Sequence, residues 1–363
     1  MKDRNMPAQG NKTGRAPLTY DLISKYRGAL MGLAIISILI FHFTDDCRIY
    51  QTKFEGIIYY YNMLISSAGV DAFLALSGFG LYYSMKRKPV FDLRQFYWKR
   101  YVKVLLPYLV MALPSLFWRD ILFEQDGLRY YLEDLLFMKL FQQGRTWYWY
   151  ILMISLCYLI APYVFQIIDR AADDITAQMR VITLFSFVTL LALVMQTYYA
   201  ALFSHVNIAL LRFPSFFVGS YFGRVAWQKK RVHPGVFLLG AVFVFLLPLR
   251  FNGNIIMTRY ILASLFLFLL LLTVALLEYG PFPKCKQIII RVLEWFGRYT
   301  LELYLTHVAV RAILCYLGYY TSRFRYEALM LVLSLLLSLL LKRVTDALTG
   351  LLNRHISPKS EAQ

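Results

Sequence analysis

Ten apolar runs follow one another along this chain, at about residues 28–43, 62–85, 101–118, 147–168, 181–201, 208–226, 236–249, 255–277, 300–319 and 328–341. A hydrocarbon core of roughly 30 Å is crossed by about 20 apolar residues in helical form. Only helices and closed barrels satisfy every backbone polar group inside it. The first and seventh runs are short. The expected fold is an all-α membrane protein of about ten transmembrane helices. Composition agrees: 59% of the 363 residues are hydrophobic and 17% are charged, where soluble domains carry about a quarter. No large soluble domain fits between the runs. The chain divides into a tail (1–26), a membrane domain (27–345) and a second tail (346–363).

The net charge is +18, from 39 basic and 21 acidic residues. Nucleic-acid binding is one source of such an excess, but in a membrane chain Lys and Arg mark cytoplasmic loops and anionic lipid contacts. Alternate loops carry the basic residues here: Lys86 to Lys103, Arg224 to Arg231, and Lys284 to Arg298. Both tails are basic as well, and the intervening loops are mixed or acidic, as at Asp45-Asp46 and Glu133-Asp134. An even number of spans with both termini cytoplasmic satisfies that pattern, and no nucleic-acid partner is expected. The polar start and the lack of a small-residue cleavage site favour a retained first helix over a signal peptide. The four cysteines form no C-x-x-C pair and have no metal-ligand spacing, so no metal is expected.

The loop over 119–145 should lie outside. Within it Leu128, Tyr131, Leu132, Leu135 and Leu136 recur at helical spacing opposite Arg129, Glu133 and Asp134. That pattern predicts an amphipathic helix on the outer surface. No internal repeat is visible, which disfavours transporter folds built from two related halves.

Ionisable side chains inside spans are costly, and each is a candidate for function. His42 follows Arg27 by fifteen residues, which places it roughly 22 Å above the cytoplasmic boundary at about 1.5 Å per residue. Helix-to-helix hydrogen bonding and chemistry are both open to it. Asp71, in the second run, needs a partner. A neighbouring histidine would gain basicity from it, and an arginine elsewhere would serve equally. Glu302, Tyr304 and His307 lie in the ninth run, with Tyr304 and His307 on one helix face. Each fits either a cavity wall or structural glue, with glue favoured for Glu302 near the cytoplasmic end. Arg100 and Lys103, three apart after Lys99, suit either headgroup anchoring or phosphate binding.

Taken in order, these segments resemble the acyltransferase-3 family of bacterial integral membrane acyltransferases. Residues 29–43, ending in His42-Phe43, resemble its opening helix. Gly69-Val70-Asp71-Ala72-Phe73 through Ser77-Gly78-Phe79 resembles its G-V-D-x-F-x-x-x-S-G-F signature. Lys99-Arg100-Tyr101-Val102-Lys103 with Pro107-Tyr108 resembles its R-x-x-R segment. Later landmarks match at Trp147 to Pro162, at Arg212 to Gly219 and at Leu301 to His307. The likeness covers about residues 26–345.

Two departures concern the donor. The family's arginine eleven residues before the histidine is Met31 here, with Arg27 one turn earlier. The second arginine of R-x-x-R is Lys103, which keeps the charge and loses the bidentate fork.

The resemblance implies transfer of an acyl group, most often acetyl, from cytoplasmic acetyl-CoA or another acyl-CoA to a hydroxyl of an extracytoplasmic carbohydrate. It places the protein in the bacterial cytoplasmic (inner) membrane as a multi-pass protein. His42 is then the expected general base with Asp71 beside it. Arg27, Lys99, Arg100 and Lys103 are the expected donor-binding residues, and Trp147, Arg212, Glu302, Tyr304 and His307 are further cavity candidates. The runner-up is a proton-coupled transporter or exporter of a glycan or small acid, with His42, Asp71 and His307 as the proton path. A glycan polymerase or scaffold ranks third. The acceptor sugar, the acyl group and the oligomeric state are not legible.

Overall fold

The computed structural model describes residues 17–49, 68–87, 91–246, 253–281, 283–319 and 324–356. Most of the N-terminal tail, the start of the second expected run and the last seven residues lie outside them. The described residues form helices and no strand, with one isolated antiparallel bridge between Thr19 and Arg231.

The chain begins with α1 (Leu22–Ile49), α2 (Gly69–Lys86) and α3 (Leu93–Leu116). Asp92 caps α3 by accepting from the backbone N–H groups of Arg94 and Gln95. A π-helical turn, Phe117–Phe123, prolongs α3 into two short helices, α4 (Leu128–Leu135) and α5 (Met138–Gln143). Four longer elements follow: α6 (Trp149–Asp169), α7 (Asp174–Tyr198), α8 (Ala200–Leu210) and α9 (Phe213–Trp227). The rest is α10 (Gly235–Leu246), α11 (Ile255–Tyr279), α12 (Pro283–Arg298), α13 (Thr300–Tyr316) and α14 (Phe324–Ile356).

Seven stretches among the described residues are long and apolar enough to cross a membrane: 22–46, 93–123, 149–169, 174–198, 200–227, 255–279 and 325–353. Ten were expected. The other three runs hold α2, α10 and α13, of 18, 12 and 17 described residues, and the start of the second run and the end of the seventh lie outside the described residues. Two of these, α2 and α13, are among the most buried elements. Thirteen residues of α2 are buried.

Glycines set how closely the central helices approach. A Cβ at Gly219 of α9 would fall on the backbone of Ala75 of α2, and one at Gly78 would fall on the carbonyl of Phe216. The α2–α9 crossing is therefore backbone against backbone, the arrangement small residues permit inside membranes. α12 meets α1 the same way, through Gly297 and Gly32. Gly219→Val is expected to destabilise the fold by about 1–3 kcal/mol, the usual cost of overpacking. A drop in unfolding temperature in detergent measures it.

Ion pairs tie one end of the bundle together. Lys25 meets Glu278 at 2.7 Å and Lys86 meets Asp169 at 2.9 Å, while Lys230 pairs with Asp174. This is the basic end. α12 was not foreseen as an element, because its stretch was read only as a basic loop. Its sequence is amphipathic, and Ile288, Ile289 and Val292 remain exposed.

At the opposite end the helix expected near 128–136 is present as α4, but its polar face differs from the one predicted. Asp134 is buried and pairs with Arg119, while Leu128, Leu132 and Leu136 are exposed. Arg119 has no exposed surface. A buried guanidinium requires carboxylate partners; Asp120 accepts from its Nε at 2.6 Å, and Asp134 turns inward to take Nη2. The exposed leucines suit an element lying against lipid.

Candidate active site

Two cavities open at the basic end. The inner one, about 270 Å³, is walled by Arg27, Arg100, Lys103, Tyr150, Tyr158 and Tyr304 among others. The second, about 520 Å³, is lined by Lys99, Lys103, Arg298, Glu302, Lys342 and Asp346. Both share Arg27, Met31, Lys103, Thr300 and Leu301, so they form one branched cleft between α1, α3, α13 and α14.

All four expected donor residues line this cleft. Helical spacing on α3 turns Arg100 and Lys103 to the same cavity. Arg27 is held by donating from Nε to the Leu76 carbonyl at 3.2 Å. Its guanidinium lies over Gly80, where a Cβ would fall on it. Met31 also lines the cleft, so the missing arginine and the arginine one turn earlier face the same space. Sequence reasoning passed over Lys342 and Arg298, which bring more positive charge to the second cavity. Lys342 pairs with Glu302 at 3.5 Å and Asp346 at 3.0 Å. Both cations were visible only as tail or loop charge.

A chain of aromatic contacts leads from the cleft to His42. Tyr150 and Tyr304, in the inner cavity wall, have ring centroids 5.1 Å apart, and the Tyr150 backbone N–H donates to the Tyr304 hydroxyl at 3.3 Å. Tyr304 is followed by His307 at 5.9 Å, and His307 by His42 at 5.1 Å. The two histidines come from α13 and α1 and face each other.

His307 is wholly buried. Its Nδ1 lies 2.8 Å from the Leu303 carbonyl one turn back. A carbonyl only accepts, so Nδ1 carries the hydrogen and Nε2 keeps its lone pair. Among the described residues that Nε2 is enclosed without a hydrogen-bond partner, and so is Nδ1 of His42. His42 as a residue is half-buried. This is an imidazole available for proton transfer, with a second imidazole against it.

Asp71 is placed elsewhere. Its carboxylate accepts from the Ser215 hydroxyl at 2.8 Å and faces Arg212 Nε at 3.4 Å. Arg212, also buried, lies 5.0 Å over the Trp149 ring and donates to the Ile208 carbonyl at 2.5 Å. Of the two partners weighed for Asp71, the arginine is the one beside it. The group joins α2 to α9, across the glycine contact.

Trp147 lies at the end opposite the cleft, with the Arg119 guanidinium 4.2 Å over its ring. Asp120, Glu124 and Asp126 gather there, and Arg119 and Arg145 meet their charge. Glu124 is just beyond the span. Burial raises its proton affinity, but hydrogen bonds from Tyr316 and Arg145 outweigh that and hold it below the ordinary carboxylate range.

A family model described as an acyltransferase domain, Acyl_transf_3, matches residues 29–343. Searches of curated proteins and of solved structures returned no match. The matched span takes in both histidines, the buried Asp71–Arg212 group and nearly all of the cleft, and the chain belongs to the acyltransferase-3 family of membrane acyltransferases.

Proposed function

We propose that this acyltransferase moves an acyl group, most simply acetyl, from cytoplasmic acyl-CoA to a hydroxyl of an extracytoplasmic glycan, across a bacterial cytoplasmic membrane, with His42 as general base. The observation that carries this reading is the unbroken series of contacts from the basic cleft through Tyr304 and His307 to His42. Basic residues on the cytoplasmic side suit the phosphates of an acyl-CoA. Its reactive thioester ends a long thin arm that narrow tyrosine walls can accept.

In the transfer His42 takes the proton of the acceptor hydroxyl as that oxygen attacks the thioester carbonyl carbon. The carbon–sulfur bond then breaks, and the imidazolium returns its proton to the leaving thiolate. His307 packs against the His42 ring and closes the wall beside it. Arg212 holds Asp71, so the carboxylate braces α2 against α9. The same pairing counts against a proton path through His42, Asp71 and His307, because Asp71 is committed to a fixed cation and a hydroxyl.

The test is release of free CoA by the purified protein from acetyl-CoA, with and without candidate glycan acceptors. Acceptor-dependent release is the expected result. Proton-coupled flux of a substrate across reconstituted vesicles, without thioester turnover, would replace this reading with transport.

A further inference from the structure

One helical turn beyond the histidines, on the side away from the cleft, a second pair joins the same two helices. Asp46 follows His42 by four residues on α1, and Arg311 follows His307 by four on α13. Residues four apart share a helix face, so each helix presents a histidine and then a charge to its neighbour. Arg311 Nε donates to both Asp46 oxygens, at 3.1 and 2.9 Å, and its Nη2 bonds the same carboxylate. Asp45 adds a longer contact at 3.8 Å. The Asp46 side chain is 4% exposed and that of Arg311 is 23% exposed. From α14, the Tyr326 hydroxyl donates to the Arg311 backbone carbonyl at 3.3 Å.

From this juxtaposition we infer that Asp46 and Arg311 are positioning residues, a two-pronged clamp that sets the register of α1 against α13 and so holds His42 and His307 in contact, their rings tilted 45° to each other. A fork donating to both oxygens of one carboxylate fixes direction as well as distance. The histidines need such a device. No hydrogen bond joins their rings, so neither imidazole fixes the other, and a slide or rotation of either helix would part them. Neither residue touches the donor cleft, so the clamp acts on turnover and leaves donor binding alone.

The inference rests on the proposed role of His42. The test compares purified Asp46→Asn, Arg311→Met and the exchanged pair Asp46→Arg with Arg311→Asp. Each single variant is expected to lower kcat at least tenfold with KM for acyl-CoA within twofold, and the exchange to recover a large part of the loss. Full kcat in both single variants would overturn the clamp, as would no recovery in an exchange variant that unfolds at the wild-type temperature.

Diethyl pyrocarbonate labelling of His42, read by peptide mass spectrometry, gives a measure that needs no turnover. Its rate should change in the single variants and return toward wild type in the exchange. A rate unchanged throughout contradicts the clamp. Loss of the His42 role itself would show differently, as full activity in His42→Ala.

Discussion

Replacing His42 by alanine is expected to lower acyl transfer by about 10²- to 10⁴-fold, the range general acid–base catalysis contributes, while the protein still inserts and folds. The structure separates these outcomes. The buried Nδ1 of His42 has no hydrogen-bond partner among the described residues, so truncation breaks no enclosed hydrogen bond there. The loss should fall on kcat with KM for acyl-CoA unchanged, the signature of an interaction realised in the transition state. Steady-state kinetics of the purified variant, with its unfolding temperature as control, measures both. His307→Ala is a poorer probe, because it also removes the side-chain hydrogen bond to the Leu303 carbonyl and empties a wholly buried site.

The second large effect is on the donor. Arg100 and Lys103 face the same cavity from one side of α3. A hydrogen bond to a charged group is worth about 1.5–3 kcal/mol. Neutralising both, as Arg100→Gln with Lys103→Gln, should raise KM for acyl-CoA by about two orders of magnitude or more and leave kcat at saturation much closer to wild type. Donor affinity should also fall with salt in the wild type more steeply than in the variant. Unchanged affinity in the double variant would move the donor site out of the cleft.

The membrane character and the order of the helices were legible because apolar length is a local property of sequence. Helix α12 was not, since its apolar residues are interleaved with Lys286, Arg291 and Arg298 and never form a run. The polar face of α4 was misjudged at Asp134 because periodicity cannot see Arg119, fifteen residues earlier, buried and in need of a carboxylate.

At the site, the cost of ionisable groups in a membrane pointed to His42, Asp71 and His307 without saying who meets whom. The two histidines lie 265 positions apart, and only packing brings them together. Asp71 had an arginine and a histidine open to it, and the α2–α9 glycine crossing delivers Arg212 and Ser215. Arg311 carried a usable signal, a charge inside the ninth apolar run. Asp46 was read as part of an acidic loop, although α1 runs on past it to Ile49.

The most direct test of the central claim is the mass of the surface glycan in cells lacking the gene, complemented with either the wild-type protein or His42→Ala at equal membrane levels. The account predicts an acyl mass increment on the glycan with the wild type, absent both without the gene and with His42→Ala. The same increment in cells carrying only His42→Ala would contradict it.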